Sequence, residues 1–256
     1  MLISIVTAAY NSESTIKDTI ESVLNQTHDE VEYIIIDGAS KDKTAEIAES
    51  YREKFEAKGY KLIIVSEPDN GIYDAMNKGI ELATGEIVGI INSDDWYSLH
   101  ALKTVADTYE KEHFDMFYAQ CANFNADGSF SHQKHCRDDV IVTSRHWNHP
   151  STFITKKVYN ELGAFQNKGG LYDDFDLYLR IRKAGKKRVI SEEVLANFRL
   201  GGASDPHGIK YTWRLFKDKY RCYSDNGYSK LYVIECFLME FVRYFYFMKT
   251  KDGSEK

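Results

Sequence analysis

Four short apolar runs in the first hundred residues, each followed by a segment with helical spacing, most strongly constrain how this chain can fold. Apolar runs of this length are typical of buried parallel strands, and the segments between them carry apolar residues at intervals of three and four. Repeated strand–helix units form right-handed crossovers and a mostly parallel sheet. We therefore predict an α/β fold with a central sheet flanked by helices and with strands over Leu2–Ala8, Tyr33–Ile36, Lys61–Val65 and Glu86–Ile91.

Polar and acidic residues stand where each predicted strand ends. Ligands bind beyond the carboxyl ends of strands in such sheets, so these side chains should line one site. Carboxylates gathered at one edge repel each other unless a cation or a donor-rich ligand lies among them. The residues are Thr7, Tyr10 and Asn11 after the first strand, Asp37 after the second, Asp69 and Asp74 after the third, and Asn92, Ser93, Asp94 and Asp95 after the fourth.

The pair Asp94–Asp95 indicates the most specific chemistry. A nucleoside diphosphate is polyanionic, and a Mg²⁺ or Mn²⁺ ion held by one or two carboxylates allows its phosphates to approach them. The ion also neutralises the charge on a departing diphosphate. For the pair alone, a strand-end turn with Asp as a helix cap is the alternative. The acids at the other strand ends favour the metal site.

Three further residues at this edge have two interpretations each. Asp37 follows three isoleucines, and it either accepts hydrogen bonds from a ribose or a base or belongs to an Asp-Gly turn. Asp74 and Lys78 are one helical turn apart. They either face the nucleotide pocket or form an ordinary i,i+4 ion pair, which contributes about 0.3–0.5 kcal/mol.

A second acidic cluster, Asp173, Asp174 and Asp176, opens a later helix. Carboxylates are favoured at a helix N-terminus, but capping accounts for one such acid more readily than for three. An acid held over the sugar can take the proton from an acceptor hydroxyl as the oxygen attacks the anomeric carbon. Weaker candidates for acceptor or phosphate contacts are His149, which precedes a proline, and Arg199, which precedes a glycine pair.

These motifs, in this order, resemble those of the family 2 glycosyltransferases with the GT-A fold. Over residues 1–100 the resemblance rests on TAAYN, IIIDGASKDKT, EPDNGIYDAMNKGIELATGE and INSDDWY. It continues to about residue 204 through HPSTFITKKVYNELGAF, LYDDFDLYLRIRKAG and FRLGGAS. The chain is particularly similar to bacterial enzymes that build colanic acid, O-antigen and related exopolysaccharides.

The resemblance implies an inverting, metal-dependent transfer from a nucleoside-diphosphate sugar to a hydroxyl of a saccharide acceptor, which we expect to be lipid-linked. Asn92 stands where the family often has Asp, and Asp173 where it has Glu, so either Asp173 or Asp174 is the base. The Q-x-x-R-W signature of processive synthases is absent, which implies one sugar per binding event. The resemblance assigns base and ribose contacts to Thr7, Ala9, Tyr10 and Asp37, donor contacts to Asp74 and Lys78, the metal motif to Asn92, Ser93, Asp94 and Asp95, and the catalytic base to Asp174.

We divide the chain into a glycosyltransferase domain over 1–205 and a helical extension over 206–256. Within the domain, residues 1–97 form the nucleotide-sugar half and residues 98–205 the acceptor half.

The extension contains an unusually apolar and aromatic segment over 231–249 with Glu235, Glu240 and Arg243 in one arc. These three charges disfavour a membrane-spanning helix. The segment either lies at a membrane interface or packs on the domain or in a homodimer. In the first case the upstream cations Arg214, Lys217, Lys219 and Arg221 would meet anionic lipid.

Composition excludes several classes of protein. A net charge of −6 argues against a nucleic-acid binder. The four cysteines lack C-x-x-C spacing, so we expect neither a zinc site nor a disulfide framework. We therefore expect the protein to reside in a reducing compartment. The amino-terminal MLISIVTAAYN is typical of a strand and not of a signal peptide. We expect a cytoplasmic location, in solution or peripheral on the inner face of the cytoplasmic membrane.

Two other functions use similar features. A sugar nucleotidyltransferase would carry a glycine-rich phosphate loop after the first strand, where this chain has Tyr10–Ser14 without glycine. A non-catalytic nucleotide-sugar-binding subunit would act through its helical tail. The motif order favours the glycosyltransferase.

Overall fold

The computed structural model describes residues 1–138, 141–202 and 208–253. Its strands are β1 (Ile3–Ala9), β2 (Val31–Asp37), β3 (Lys61–Ser66), β4 (Ile87–Ile90), β5 (Trp96–Tyr97), β6 (Met116–Phe124), β7 (Phe130–Lys134), β8 (Thr152–Thr155) and β9 (Arg188–Arg199). They form a sheet in the order β3-β2-β1-β4-β8-β6-β9-β5, with β7 paired to β6.

Helices cover both faces of the sheet and follow it at the carboxyl terminus. They are α1 (Ile16–Leu24), α2 (Thr44–Glu49), α3 (Arg52–Ala57), α4 (Ile72–Leu82), α5 (Ala101–Glu112), α6 (Lys156–Leu162), α7 (Asp173–Lys183), α8 (Ile209–Asp225) and α9 (Tyr232–Gly253), with a 3₁₀ turn at Ser144–His146. The predicted α/β class, with a central sheet flanked by helices, is confirmed.

The first half of the sheet is parallel. β1 pairs with β2 and β4, and β2 pairs with β3, all in parallel. The four predicted strands are therefore confirmed to within two residues. Alternate residues of β1 enter two different hydrophobic clusters, with Ile5 on one face of the sheet and Val6 on the other.

The predicted helix after Thr44 is divided into two shorter helices, α2 and α3. The hydroxyl of Ser50 donates to the carbonyl of Ile47 at 2.6 Å. A serine that bonds to nearby main chain in this way competes with the helical hydrogen-bond pattern. Tyr51 and Phe55 are buried as expected, whereas Ile47 is only half-buried.

In the second half, β8 runs antiparallel to β4 and β6. This register places the residues that precede β8 beside the end of β4, where the acidic motif lies. Within the described ranges, no helix combines the length and the hydropathy needed to cross a membrane. The predicted boundary at residue 205 falls among residues 203–207, which lie outside the described residues.

Candidate active site

The loops that follow β1, β2, β3 and β4 meet at one edge of the sheet. The hydroxyls of Ser12 and Ser93 lie 2.7 Å apart, which joins the loops after β1 and β4. A methyl group added at Gly38 would lie 2.6 Å from the Asp69 carboxylate and 3.4 Å from the Tyr10 ring. The loops after β1, β2 and β3 are therefore also in contact, and together the four loops form a rim.

Thr7 and Asp37, two predicted nucleotide contacts, have fully buried side chains. The Thr7 hydroxyl accepts a hydrogen bond from the Tyr33 hydroxyl at 3.1 Å, so it faces the core. Asp37 accepts from the main-chain nitrogen of Ser40 at 3.1 Å and from the hydroxyls of Ser40 and Ser66. These bonds support the turn interpretation of Asp37, and its contact with a ribose or base stays a prediction.

The end of β1 supplies three further predicted contacts. Ala9 is buried, whereas the Tyr10 ring is 61% exposed at the rim. Asn11 has a φ of 50°, a left-handed conformation that Asn tolerates better than most residues. Its side chain accepts from the main-chain nitrogen of Lys41 at 2.9 Å. Of the three, Tyr10 has the side chain most open to a ligand.

The loop after β3 is held in shape by its own charged residues. The Lys78 ammonium lies 2.8 Å from Glu67 and 3.9 Å from Asp74. Asp69 and Asp74 each accept a main-chain N–H of this loop, at 3.0 and 2.9 Å. The ion-pair interpretation of Asp74 and Lys78 therefore has geometric support, and their contact with a donor stays a prediction.

The two aspartates after β4 differ in their surroundings. Asp95 is fully buried, and its carboxylate accepts from the main-chain nitrogen of Arg199 at 3.0 Å and from the Asn92 amide at 3.2 Å. Asp94 is half-buried, and no other described residue donates to its carboxylate. Burial raises the pKa of both carboxyl groups, and the charge of Asp94 raises that of Asp95 further. Asp95 is thus engaged inside the fold, and its role as a second metal ligand beside Asp94 stays a prediction.

A divalent cation beside Asp94 would find few protein ligands. No three His, Cys, Asp or Glu side chains converge among the described residues. The side-chain carbonyl oxygen of Asn92 is buried, and no described group donates a hydrogen bond to it. Such buried oxygens normally have a partner. One carboxylate and one amide oxygen suit a Mg²⁺ or Mn²⁺ ion whose other positions are filled by phosphates and water.

The carboxylates that open α7 point in different directions. Asp173 is fully buried, accepts from the main-chain nitrogen of Lys168 at 2.7 Å and lies 3.5 Å from Arg221. Asp176 is also buried, whereas the Asp174 side chain is 20% exposed. Adjacent residues of an α-helix cannot share a face, because the helix has 3.6 residues per turn. Asp174 is therefore the acid of this cluster that reaches the cleft.

Asp174 lies between Tyr73 and His149. The Tyr73 hydroxyl donates to Asp174 Oδ1 at 3.0 Å, and His149 Nδ1 lies 3.7 Å from Asp174 Oδ2. A small cavity beside them is also lined by Ile90, the last residue of β4. Asp94 follows four residues later, so the two candidate functional acids lie at the same edge of the sheet.

His149 and Arg199, the weaker candidates, have different surroundings. Burial lowers the pKa of His149, and the Asp174 carboxylate opposes that shift. His149 Nε2 is buried, and no described group hydrogen-bonds to it. The guanidinium of Arg199 lies 2.8 Å from Asp18 and 5.3 Å from the Trp96 ring centre. Arg199 is therefore already paired, whereas His149 lies next to the candidate base.

Sequence reasoning missed two residues near the cleft, Tyr73 and Lys134. Burial and the Asp174 carboxylate raise the pKa of Tyr73 well above its ordinary value, so the hydroxyl stays protonated as a donor. Burial lowers the pKa of the Lys134 ammonium at the end of β7. The signal for Tyr73 was available, because a buried tyrosine hydroxyl normally finds a polar partner. Lys134 is the last residue of the polar strand β7, and the sequence around it carries no comparable pattern.

Comparison with known proteins decides the family. The model of "Glycosyl transferase family 2" matches residues 4–174, which include the loops described above and Asp174. The chain belongs to glycosyl transferase family 2. It is therefore a transferase, and nucleotide-sugar donors are the substrates this assignment supports.

Its relatives include proteins named as biosynthesis glycosyltransferases. The chain is 28% identical over 187 residues to a PGL/p-HBAD biosynthesis glycosyltransferase of Mycobacterium bovis, over 70% of this chain and 69% of the relative. It is 36% identical over 121 residues to a protein of Bacillus subtilis named as a teichuronic acid biosynthesis glycosyltransferase, TuaG, over 47% of this chain and 44% of the relative.

Solved structures show the same fold at low identity, and the predicted GT-A fold is confirmed. S. aureus TarS residues 1–349, in complex with UDP-GlcNAc, matches with a TM-score of 0.68 and 19% identity over 100% of this chain and 76% of that one. The mannosyltransferase PcManGT of Pyrobaculum calidifontis, in complex with GDP-Man and Mn²⁺, matches with a TM-score of 0.66 and 15% identity over 93% of this chain and 69% of that one.

Proposed function

We propose that this family 2 glycosyltransferase catalyses an inverting, metal-dependent transfer of one sugar from a nucleoside diphosphate to a hydroxyl of a lipid-linked saccharide. The proposal rests on one observation: in each of the two aspartate pairs, one member is open to the cleft and the other is buried. Asp94 and Asp174 lie at the same edge of the sheet and are only partly buried, while their neighbours Asp95 and Asp173 are buried and hydrogen-bonded. One open carboxylate serves the donor and the other serves the acceptor.

In this proposal Asp174 is the general base. Its carboxylate takes the proton of the acceptor hydroxyl while that oxygen forms a bond to the anomeric carbon. The bond from the anomeric carbon to the diphosphate breaks, and the nucleoside diphosphate leaves with the electron pair. Tyr73 donates to Asp174 Oδ1, so it orients the carboxylate and leaves Oδ2 toward His149 and the cleft.

Asp94 and the side-chain oxygen of Asn92 are the proposed protein ligands of a divalent cation, Mn²⁺ or Mg²⁺. A bound cation would neutralise the diphosphate and stabilise it as a leaving group. The exposed ring of Tyr10 at the rim is the proposed contact for the nucleotide base.

The test is release of nucleoside diphosphate from a donor sugar by the wild type and by single variants. Asp174→Asn should lower kcat by about a thousandfold or more, the scale seen when an essential proton acceptor is lost. Asp94→Ala and EDTA should each abolish turnover. Asp107→Asn, on the exposed face of α5, is the matched control and should behave as wild type. Full turnover in EDTA would overturn the metal role, and an active Asp174→Asn would overturn the base assignment.

The donor is found by a thermal-shift screen across UDP-, GDP- and dTDP-sugars, each with and without Mn²⁺. A donor that binds the native state raises the midpoint of unfolding by mass action. One nucleotide series should shift the midpoint only when Mn²⁺ is present. Equal shifts without metal would contradict the proposed cation.

The outward face of α9 supports a location on the inner surface of the cytoplasmic membrane. Within the described side chains this face carries large exposed apolar residues, while Glu240 and Cys236 point inward. Trp213 of α8, itself exposed, packs on Phe241 with ring centres 5.0 Å apart, so the two helices share this surface. The exposed apolar residues of α9 and its approach are Leu231, Val233, Ile234, Phe237, Leu238, Val242, Phe245 and Met248.

The charges of α8 favour anionic lipid as the occupant of this surface. Lys210, Arg214 and Lys217 are exposed on the same helix as Trp213. A helix with an apolar face and flanking cations binds a bilayer interface that contains anionic lipid. Lys219 and Arg221, expected to meet lipid as well, instead pair with carboxylates inside the protein.

Flotation with vesicles tests this location. The wild type should float with vesicles that contain phosphatidylglycerol and remain behind with pure phosphatidylcholine. Leu238→Asp combined with Val242→Asp should abolish flotation and leave the unfolding midpoint unchanged, because both side chains are exposed. A wild type that never floats but elutes as a dimer, which the double variant converts to a monomer, would assign the surface to a second copy and overturn the membrane proposal.

A further inference from the structure

The segment that carries the proposed base begins at two glycines. Gly169 has a φ of 73°, a conformation that glycine adopts readily, and Gly170 follows it. Glycine has more backbone freedom than any other residue, so the segment that leads into α7 is intrinsically flexible. By itself this segment fixes the first turn of α7 only weakly. The position of Asp174 therefore depends on what packs against residues 168–173.

Helix α8 supplies one set of contacts to this segment. Arg214 donates to the carbonyl of Gly169 at 2.7 Å, and Arg221 lies 3.5 Å from Asp173. A methyl group added at Gly170 would lie 2.7 Å from the Arg221 guanidinium, so the chain passes close to this helix.

Further contacts from α8 reach the residues on either side of Asp173 and Asp174. The sulfur of Cys222 lies 3.3 Å from the carbonyl oxygen of Tyr172 and 3.2 Å from that of Asp218, so its thiol contacts both acceptors. The amide of Asn226, the residue that caps the C-terminal end of α8, donates to Asp176 at 2.8 Å. Residues 172, 173 and 176 are thus all held by α8, and Asp174 lies between them with its side chain in the cleft.

Helix α9 adds a contact through a buried charge network. The Tyr172 hydroxyl donates to Glu240 Oε1 at 2.8 Å. Glu240 is 4% exposed and lies 3.5 Å from the ammonium of Lys219, which is 1% exposed. Burial and the Glu240 carboxylate raise the pKa of Tyr172 well above its ordinary value, so the hydroxyl remains a donor. Tyr172 is the N-cap residue that immediately precedes α7, and its carbonyl accepts from the Asp176 nitrogen at 2.8 Å.

We propose that Glu240, acting through Tyr172, is a positioning residue for the Asp174 base, so that the carboxyl-terminal helices α8 and α9 are part of the catalytic apparatus. The hydrogen bond from Tyr172 to Glu240 fixes the first turn of α7, and that turn sets the direction in which Asp174 projects. This inference rests on the proposed role of Asp174. It assigns the extension a function in the chemical step that is separate from any membrane contact.

The chain contains a matched control for Glu240. Glu235 lies on the same helix, and its carboxylate is 3.4 Å from the same Lys219 ammonium. The structure gives Tyr172 a hydrogen bond to Glu240 and gives it none to Glu235 among the described contacts. Removal of either carboxylate therefore leaves Lys219 with one partner, but only removal of Glu240 releases Tyr172.

The experiment compares kcat and the donor KM of Glu240→Ala, Glu240→Gln, Tyr172→Phe and Glu235→Ala. We expect Glu240→Ala and Tyr172→Phe to lower kcat about tenfold with the donor KM within twofold, since a small misplacement of a catalytic group costs one to two orders of magnitude. Glu240→Gln retains an acceptor for Tyr172 and should restore most of kcat. Glu235→Ala should leave kcat at the wild-type value.

The outcomes separate this inference from the function on which it rests. If Asp174→Asn is inactive but Glu240→Ala and Tyr172→Phe match Glu235→Ala, the positioning role is overturned. If Asp174→Asn is active, the base assignment fails instead. Should Glu240→Ala not fold, Tyr172→Phe decides, because it removes one hydroxyl and keeps every charge. A tenfold loss of kcat shared by Glu235→Ala would also contradict the proposal, since it would report the ion pair and not the Tyr172 contact.

Discussion

Replacement of Lys219 by methionine should destabilise the protein strongly. Its side chain is 1% exposed, and its ammonium lies 3.4 Å from Glu235 and 3.5 Å from Glu240. Lys219→Met keeps much of the side-chain volume but leaves two carboxylates with their positive partner removed. Loss of one partner of a buried ion pair costs about 3–5 kcal/mol, because the remaining charge is buried without compensation. For a chain of this size, a loss of that order lowers the unfolding midpoint by roughly 6–20 °C.

Thermal and urea unfolding followed by circular dichroism measure this effect. The double variant Lys219→Met, Glu240→Gln should be more stable than Lys219→Met alone, by at least about 1 kcal/mol, because it removes one of the uncompensated charges. The reasoning would be refuted if Lys219→Met unfolded within about 2 °C of the wild type, a shift that corresponds to less than 1 kcal/mol. It would also be refuted if the second substitution lowered stability further.

Three further predictions concern other parts of the fold. Burial lowers the pKa of His149, so the neutral imidazole stabilises the native state above the unfolded pKa of about 6.5. That stability is lost as the pH falls through the lower native pKa. The unfolding free energy of His149→Asn should therefore depend less on pH between 7 and 5 than that of the wild type. Burial raises the pKa of the Cys136 thiol to about 11. Alkylation of this thiol by iodoacetamide at pH 8 should therefore be about a hundredfold slower in the native protein than in the denatured chain, and it should accelerate as the pH rises. Equal rates in the two states would contradict the burial of Cys136. A methyl group added at Gly79 would lie 2.2 Å from a Val6 methyl, so Gly79→Ala should lose about 1–3 kcal/mol in urea unfolding as α4 is forced away from β1; an unchanged urea midpoint would contradict the close packing.

The parallel half of the fold could be predicted because its signals are local. Each early strand is a short apolar run, and the segments between the runs repeat at helical spacing. The break between α2 and α3 could not be predicted in the same way. The break coincides with the hydrogen bond from the Ser50 hydroxyl to the Ile47 carbonyl, which local sequence does not specify. A periodic pattern of apolar residues is compatible with one helix or with two.

The candidate site was predictable as a group of residues but not as a set of roles. Asp94 and Asp95 are adjacent and chemically identical, as are Asp173 and Asp174. Their roles differ because one member of each pair is turned inward to donors that come from remote parts of the chain, such as the main chain of Arg199. The spacing of residues within a motif contains no information about partners that lie far away in the sequence.

The same limit applies to the carboxyl-terminal helices. Lys219 belongs to a cluster of cations that the sequence offered as contacts for anionic lipid in one of two alternatives. Its orientation is decided by Glu235 and Glu240, which follow by 16 and 21 residues and belong to the next helix. The charged arc of α9 therefore faces the protein, and the apolar arc faces outward.

The central claim is that Asp94 serves donor binding through a divalent cation while Asp174 serves the chemical step. Calorimetric titration with the donor identified in the thermal-shift screen, with and without Mn²⁺, tests that division most directly. The wild type and Asp174→Asn should bind the donor with equal affinity in Mn²⁺, whereas Asp94→Ala and the wild type in EDTA should bind it at least about tenfold more weakly, a loss of 1.4 kcal/mol. Donor affinity in Asp94→Ala equal to that of the wild type in Mn²⁺, or wild-type affinity unchanged by EDTA, would contradict the account.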